Sequence, residues 1–423
     1  MLLLGCIADD LTGATDLGIN LSREGLSVIQ VNGVPGPALD VPVADAVVVA
    51  LKSRTIATAD AVAQSLAALA WLHGRGAERI YFKYCSTFDS TPRGNIGPVT
   101  EALRTVLGVA PGALPTPATP AYPRNGRTVY LGHLFVGDVL LSDSGMRKHP
   151  LTPMTDANLV RVLAAQTTGR VGLVPYADVD AGAAAVRARL DVLAAEGFTH
   201  AIVDATRDEH LVAAGRACLD LPLTTGGAGL ALGLARALRD RAHAGGGAWT
   251  TPSPRGPVAW LSGSCSEATL AQLAAVRDTV PSFRLDPLLL AADPDLAPRI
   301  AALAVSALGE KPVLVYATAA PGAVAEAQRV LGVERAATLV EDAFRRIARA
   351  LADAGVRAFV VAGGETSGAV VDTLGARALA IGPEIDPGVP WTRAVGGEPL
   401  WLALKSGNFG GPDFFSKATA ALA

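Results

Sequence analysis

Short β-rich runs recur at 27–31, 46–51, 79–84, 171–175 and 200–205, and Ala-rich helical stretches fall between them at 57–72, 157–166, 181–195 and 211–219. A chain patterned in this way folds as parallel strands joined by helical crossovers. The alternation stops at 242–257, where three consecutive glycines and three prolines read as an interdomain linker. It restarts with strands at 258–261, 312–317, 356–362 and 399–404, and with helices such as 267–279, 340–354 and 367–374. At 423 residues the chain exceeds the size at which single cores stop growing. The expected fold class is therefore α/β: two α/β domains with mainly parallel sheets, at 1–241 and 258–423, with a ligand cleft between them. The Pro- and Ala-rich stretch 108–123 reads as an ordered surface loop.

Composition narrows the function classes. Half the residues are hydrophobic and only 5% aromatic, which suits helices packed on Val- and Leu-rich strands. A net charge of −3 provides no basic footprint for nucleic acid. No apolar run approaches the roughly 18 residues expected of a membrane span, so no membrane partner is expected. Cys6, Cys85, Cys218 and Cys265 are widely spaced with no C-x-x-C pair, which suggests neither a disulfide framework nor a zinc knuckle and fits a reducing cytoplasm. Leu3-Leu4-Gly5-Cys6 superficially resembles a lipoprotein cleavage site but lacks the apolar length and basic flank of a signal peptide. The six histidines show no metal-ligand spacing. Small-molecule chemistry is the expectation.

Three acids sit at one turn near the N-terminus: the run Leu2-Leu3-Leu4-Gly5-Cys6-Ile7-Ala8 ends in Asp9-Asp10-Leu11-Thr12-Gly13, with Asp16 close behind. A buried strand delivering carboxylates to the open edge of a parallel sheet places them where ligands bind. One Asp would serve as a helix cap; two adjacent ones plus Asp16 exceed that need. Lys52-Ser53-Arg54-Thr55 ends another strand, and Arg54 could make a bidentate bond to a carboxylate. Phe82-Lys83-Tyr84-Cys85-Ser86-Thr87-Phe88-Asp89-Ser90-Thr91-Pro92-Arg93-Gly94-Asn95 follows a third, with Lys83, Arg93 and several hydroxyls able to clamp a small hydroxy acid.

The second half carries three Gly/Ser loops at strand ends: Ser262-Gly263-Ser264-Cys265-Ser266, Gly363-Gly364-Glu365-Thr366-Ser367-Gly368 and Lys405-Ser406-Gly407-Asn408-Phe409-Gly410. Free backbone N–H groups at such loops favour anions. The middle loop imitates the start of a P-loop, but Ala369 and Val370 stand where Lys and Ser/Thr would be required. Together the loops point to nucleotide phosphates. Gly226-Gly227-Ala228-Gly229 departs from the dinucleotide fingerprint and reads instead as close helix packing.

Four motifs in chain order, Ala8-Asp9-Asp10-Leu11-Thr12-Gly13-Ala14, Asp89-Ser90-Thr91-Pro92-Arg93-Gly94-Asn95-Ile96-Gly97, Gly363 to Gly368 and Lys405 to Gly410, make the chain resemble the four-carbon acid sugar kinases, formerly a domain of unknown function, over essentially its whole length. Lys83-Tyr84-Cys85-Ser86-Thr87-Phe88 before Asp89, with Gly132-His133-Leu134-Phe135-Val136-Gly137-Asp138, looks most like the 3-oxo-tetronate kinase branch. Threonate and erythronate kinases, the alternative, have a shorter Lys-x-Asp-Ser-Thr-Leu-Arg-Gly-Asn run, and Pro92 stands where that run has Leu. The resemblance implies an N-terminal sugar-acid-binding domain, a C-terminal nucleotide-binding domain and ATP-dependent phosphorylation of a terminal hydroxyl, with Mg²⁺ accompanying ATP. It puts substrate recognition on Asp10, Arg54, Lys83, Ser90, Thr91, Arg93 and Asn95, and ATP contacts on Ser264, Gly363, Gly364, Glu365, Thr366 and Gly407, with Ser264 or Ser266 the closer serine. For a kinase, Asp10 first and Asp89 second are the acids expected to orient or deprotonate the acceptor hydroxyl. A non-catalytic sugar-acid-binding protein would need only the first set. The metal ligands are left open, as is the oligomeric state, a homo-oligomer included.

Overall fold

A computed structural model describes residues 2–149, 151–241 and 256–422, so the expected linker at 242–257 lies almost wholly outside the described residues. The chain divides into two compact units, Met1–Ala248 and Trp249–Ala423. Each is α/β with a mainly parallel sheet.

In the first unit the strands lie in the order Val28–Asn32, Ala46–Ala50, Leu4–Ala8, Ile80–Lys83, Leu223–Gly226, Thr116–Thr119, Phe198–Val203 and Arg170–Val174, each pair of neighbours parallel. Leu4–Ala8 and Ala46–Ala50 are buried at every residue, as strands covered on both faces must be. Helices Leu11–Arg23, Ala228–Leu238, Asp208–Ala217 and Ala183–Ala195 pack in succession, as do Thr58–Gly74 and Ile96–Val106. The stretch expected to be a surface loop contains Thr116–Thr119, an interior strand buried at all positions. Pro117 hid it, since proline is rare inside sheets. The Pro117 carbonyl is still used, accepting from Thr225 Oγ1 at 3.0 Å.

Glycines set the spacing of the helix pair Asp208–Ala217 and Ala228–Leu238. A Cβ on Gly233 would lie 2.0 Å from the Leu211 carbonyl oxygen, and one on Gly229 would lie 2.2 Å from that of Ala121. Gly226-Gly227-Ala228-Gly229 is thus a packing element, as expected of it.

In the second unit Ser282–Arg284, Val313–Tyr316, Val258–Ser262, Ala358–Ala362 and Trp401–Lys405 run parallel in that order. Val389–Ala394 and Ala378–Asp386 continue the sheet antiparallel. This hairpin was not anticipated from the alternating pattern, although Pro387-Gly388 marks its turn, with Gly388 at φ +82° where a side chain would strain the backbone. Successive strand residues feed opposite cores: Leu261, Val315 and Phe359 pack with Phe344 and Ile347, whereas Trp260, Leu314 and Val360 pack with Phe414 and Phe415. Among the described residues no helix is long and apolar enough to cross a membrane.

Two effects compete at Gly233. Alanine inside a helix is favoured over glycine by about 1 kcal/mol, whereas overpacking costs about 1–3 kcal/mol. A Cβ 2.0 Å from a carbonyl oxygen makes the second effect win. Gly233→Ala is expected to lower the urea unfolding midpoint, and an unchanged or raised midpoint would contradict the packing account.

Candidate functional site

The C-terminal end of Leu4–Ala8 hands directly to two aspartates. The Asp9 carbonyl accepts the backbone N–H groups of Ser53 (2.9 Å) and Arg54 (3.2 Å), which brings the Arg54 guanidinium over the acids. Its Nε and Nη2 donate to Asp9 Oδ2 and Oδ1 at 2.9 and 2.8 Å. Nη2 also donates to Asp10 Oδ1 at 2.7 Å, and Nη1 stands 3.6 Å from Asp89 Oδ2. The bidentate fork that the sequence offered to a ligand is therefore occupied by Asp9.

Asp10 does two jobs. Its Oδ1 caps helix Leu11–Arg23 by accepting from the Gly13 N–H at 3.1 Å, and it also accepts from Lys83 Nζ at 3.3 Å. With the Arg54 bond, three donors converge on Oδ1. Oδ2 is left without a partner among the described residues, on a side chain 30% exposed. Gly13 makes the arrangement possible, because a Cβ there would sit 1.6 Å from Lys83 Nζ.

Burial pushes the Asp9 carboxyl up against the pull of Arg54. Burial also acts on Asp10, but the Lys83 and Arg54 charges outweigh it and hold that carboxyl below the usual carboxylate range. Burial would strip the proton from Lys83; Asp10 and Asp9 more than offset this and keep the ammonium charged.

The loop after Ile80–Lys83 braces the cluster. Phe88 is fully buried at φ +54°, an uncommon conformation for a bulky residue, with its ring 5.2 Å from that of Tyr84 in edge-to-face contact. The next residue, Asp89, accepts from Thr87 Oγ1. Asn95 is spent inside the protein: Nδ2 donates to the carbonyls of Ser53 (2.9 Å), Arg54 (3.3 Å) and Ile56 (3.0 Å), and Oδ1 accepts from Thr58 at 2.9 Å. It holds the loop that carries Arg54. Ser90 is buried against Gln166, whose Nε2 donates to its Oγ and to the Thr91 carbonyl, both at 2.8 Å. Arg93 is exposed. The structure thus brings Asp10, Arg54, Lys83 and Asp89 together, and puts Ser90 and Asn95 behind them as supports. Sequence reasoning passed over Gln166 and Thr58, which no local pattern marks.

In the second unit the three glycine loops line one cavity of about 620 Å³. Its lining includes Gly263, Ser264, Gly363, Gly364, Glu365, Thr366, Ser406 and Gly407 from the loops, together with apolar Leu285, Leu288, Val324 and Val340 and charged Arg284, Asp286 and Glu341. Gly363, at φ +127°, opens helix Gly364–Thr373, and a Cβ on Gly263 would lie 2.0 Å from Thr366 Oγ1. Of Ser264 and Ser266 only Ser264 lines the cavity; Ser266 caps helix Glu267–Val276 and donates to the Gly407 carbonyl at 2.6 Å, and Ser264 Oγ in turn donates to Ser266 Oγ at 3.2 Å. Such a nest with an adjoining helix N-terminus suits phosphate oxygens.

A sugar-binding N-terminal domain family matches residues 4–234, and a nucleotide-binding C-terminal domain family matches 259–415. The chain is 56% identical over 422 residues to the 3-oxo-tetronate kinase of Burkholderia multivorans, covering 99% of this chain and 97% of the relative. It belongs to the four-carbon acid sugar kinase family. Solved structures agree with that membership. A Haemophilus influenzae protein superimposes with TM-score 0.88 at 45% identity, covering 99% of this chain and all of its own. A Salmonella typhimurium protein, described as a candidate tRNA synthase, does so with TM-score 0.91 at 44% identity, covering 99% of each chain.

Gly13→Ala is expected to expel the Lys83 ammonium from beside Asp10 and to crowd the capping oxygen as well, since the added Cβ would also lie 2.3 Å from Asp10 Oδ1. A crystal structure of the variant with Lys83 Nζ still bonded to Asp10 would contradict this.

Proposed function

We propose that this chain is an ATP-dependent kinase that phosphorylates the terminal, 4-position hydroxyl of a four-carbon 3-oxo sugar acid. Asp10 carries the acceptor side: its Oδ1 is saturated by three donors, while Oδ2 is left to accept from an incoming hydroxyl. Lys83 and Arg54 flank it as cations toward the substrate's carboxylate or keto oxygen. Thr91 and Arg93 lie on the adjoining loop, and Ser90 and Asn95 shape it. Relatives named 3-oxo-tetronate kinase, between 46% and 56% identical, support that choice of acid.

Phosphoryl transfer requires positioning and charge neutralisation more than covalent chemistry. A carboxylate made less basic by two cations suits orientation of the hydroxyl, taking its proton as the new oxygen–phosphorus bond forms and ADP leaves. Asp89, on the far side of Arg54, supports the same charge balance and is the second candidate for that proton.

On the donor side, Ser264, Gly363, Gly364, Glu365, Thr366 and Gly407 cradle the phosphates, and apolar lining residues such as Leu285, Val324 and Val340 pack on the base. Mg²⁺ is proposed to arrive with ATP. The described residues contain no group of three His, Cys, Asp or Glu side chains poised for a metal. Glu365, on the glycine loop that lines the cavity, is the carboxylate that would help hold such an ion. When bound, it would neutralise charge on the phosphates. The four cysteines are free thiols, and a cytoplasmic location is proposed on that ground.

ADP release is expected with 3-oxo four-carbon acids and much less with their reduced threonate and erythronate counterparts; equal rates on the reduced acids would overturn the substrate assignment. Asp10→Asn preserves shape and is expected to lower the single-turnover rate by about 10²-fold or more. A rate equal to wild type would remove Asp10 from the reaction.

A further inference from the structure

Lys405 ends the strand Trp401–Lys405 and is 1% exposed, yet no carboxylate of the described residues meets it. Its Nζ donates to Thr269 Oγ1 (2.9 Å), to the Ser406 carbonyl (3.2 Å) and to the Gly407 carbonyl (2.9 Å), with the Phe414 ring centroid 6.0 Å away. The charged residues on the elements around it are Glu267, Glu365, Asp372, Glu384, Asp386, Arg393, Asp413 and Lys417, and among the described residues none pairs with this ammonium. Asp386 is taken up by Lys417 at 2.5 Å and by the Gly411 N–H at 2.9 Å. Buried cations normally have a partner.

The atoms that Lys405 grips belong to the last glycine loop. The Gly407 carbonyl receives Lys405 Nζ, Ser266 Oγ at 2.6 Å and Thr269 Oγ1 at 2.9 Å. Gln272 Nε2 donates to the carbonyls of Phe409 (3.0 Å), Gly410 (2.9 Å) and Gly411 (3.0 Å). In a trans peptide the N–H points opposite to the C=O. Drawing the Ser406 and Gly407 carbonyls inward therefore turns the N–H groups of Gly407 and Asn408 the other way, and Ser406 and Gly407 line the cavity.

We propose that Lys405 is a positioning residue of the phosphate nest, holding the Ser406–Gly407 peptides with their N–H groups outward and leaving an uncompensated positive charge behind them that the nucleotide phosphates neutralise. This rests on the assignment of ATP to that cavity. Lys405 does not touch the phosphates; it acts through the two peptides. Burial lowers its proton affinity to about 8, with no charged group contributing. Bound phosphate would raise that value, so ATP binding is strongest below it and weakens as the pH climbs past it.

The test is calorimetry of ATP binding to the full chain at several values between about pH 7 and about pH 9.5, on wild type, Lys405→Met and Gly364→Val. Gly364 has open space where its Cβ would stand, so valine there projects into the cavity and serves as the control for the site itself. Wild type is expected to lose ATP affinity by up to about tenfold per pH unit above the midpoint. Lys405→Met should bind at least about tenfold more weakly at neutral pH and show a flat profile. Its ligand-free melting temperature should be unchanged or raised, since a charge without a partner has been removed. A merely structural lysine would instead lower the melting temperature and leave the pH profile in place. Wild-type-like affinity and profile in Lys405→Met, alongside lost binding in Gly364→Val, would overturn the proposal alone. Undiminished binding in both variants would overturn the nucleotide assignment. If Lys405→Met does not fold, a flat wild-type profile still refutes the proposal.

Discussion

A carboxylate buried as deeply as that of Asp9 persists only beside a cation, and the Arg54 guanidinium bonded to both its oxygens is that cation. The rest of the first unit's site follows from this pair. Arg54 reaches Asp9 because the Asp9 carbonyl pins the Ser53 and Arg54 N–H groups, and because Asn95 bonds the carbonyls on the other side of the same loop. Once there it also takes Asp10 and draws in Asp89. Breaking a buried pair of this kind leaves a charge stranded, at a cost of about 3–5 kcal/mol. That penalty keeps the loops in register with the strand ends.

The two units use different chemistry on their ligands. The first presents side chains: a charged lysine, an arginine and a carboxylate with one oxygen free, a set suited to an acid bearing hydroxyls. The second lines its cavity with backbone at glycines 263, 363, 364 and 407, a surface suited to phosphate, and Lys405, Thr269 and Gln272 bond carbonyls of the last of these loops. Glycine matters in both. At Gly13 it admits a lysine, and at Gly263 it admits a threonine.

Much of this was legible in the sequence because it is local. Alternating strands and helices, acids at a strand end, and Gly/Ser loops before helices are short-range patterns set by backbone hydrogen bonding and helix capping. The Thr116–Thr119 strand was not legible, since its proline argues against an interior position that only burial between Leu223–Gly226 and Phe198–Val203 allows. The hairpin Ala378–Asp386 and Val389–Ala394, joined at a Pro-Gly turn, was not legible either, although the sheet is mainly parallel as expected.

The chain's own order of residues determined that this would be a pair of α/β units with carboxylates at the strand edge of one and glycine loops at the strand ends of the other. Only the folded structure decided how those residues are used. Partners 45 residues apart, such as Asp9 and Arg54, meet because neighbouring parallel strands end at the same edge. The same convergence makes Asn95 a brace of the Arg54 loop, commits Ser266 to a cap while Ser264 lines the cavity, and surrounds Lys405 with carbonyls and, among the described residues, no acid. A side chain's neighbours across a sheet are fixed by register and burial, and no spacing along the chain encodes them.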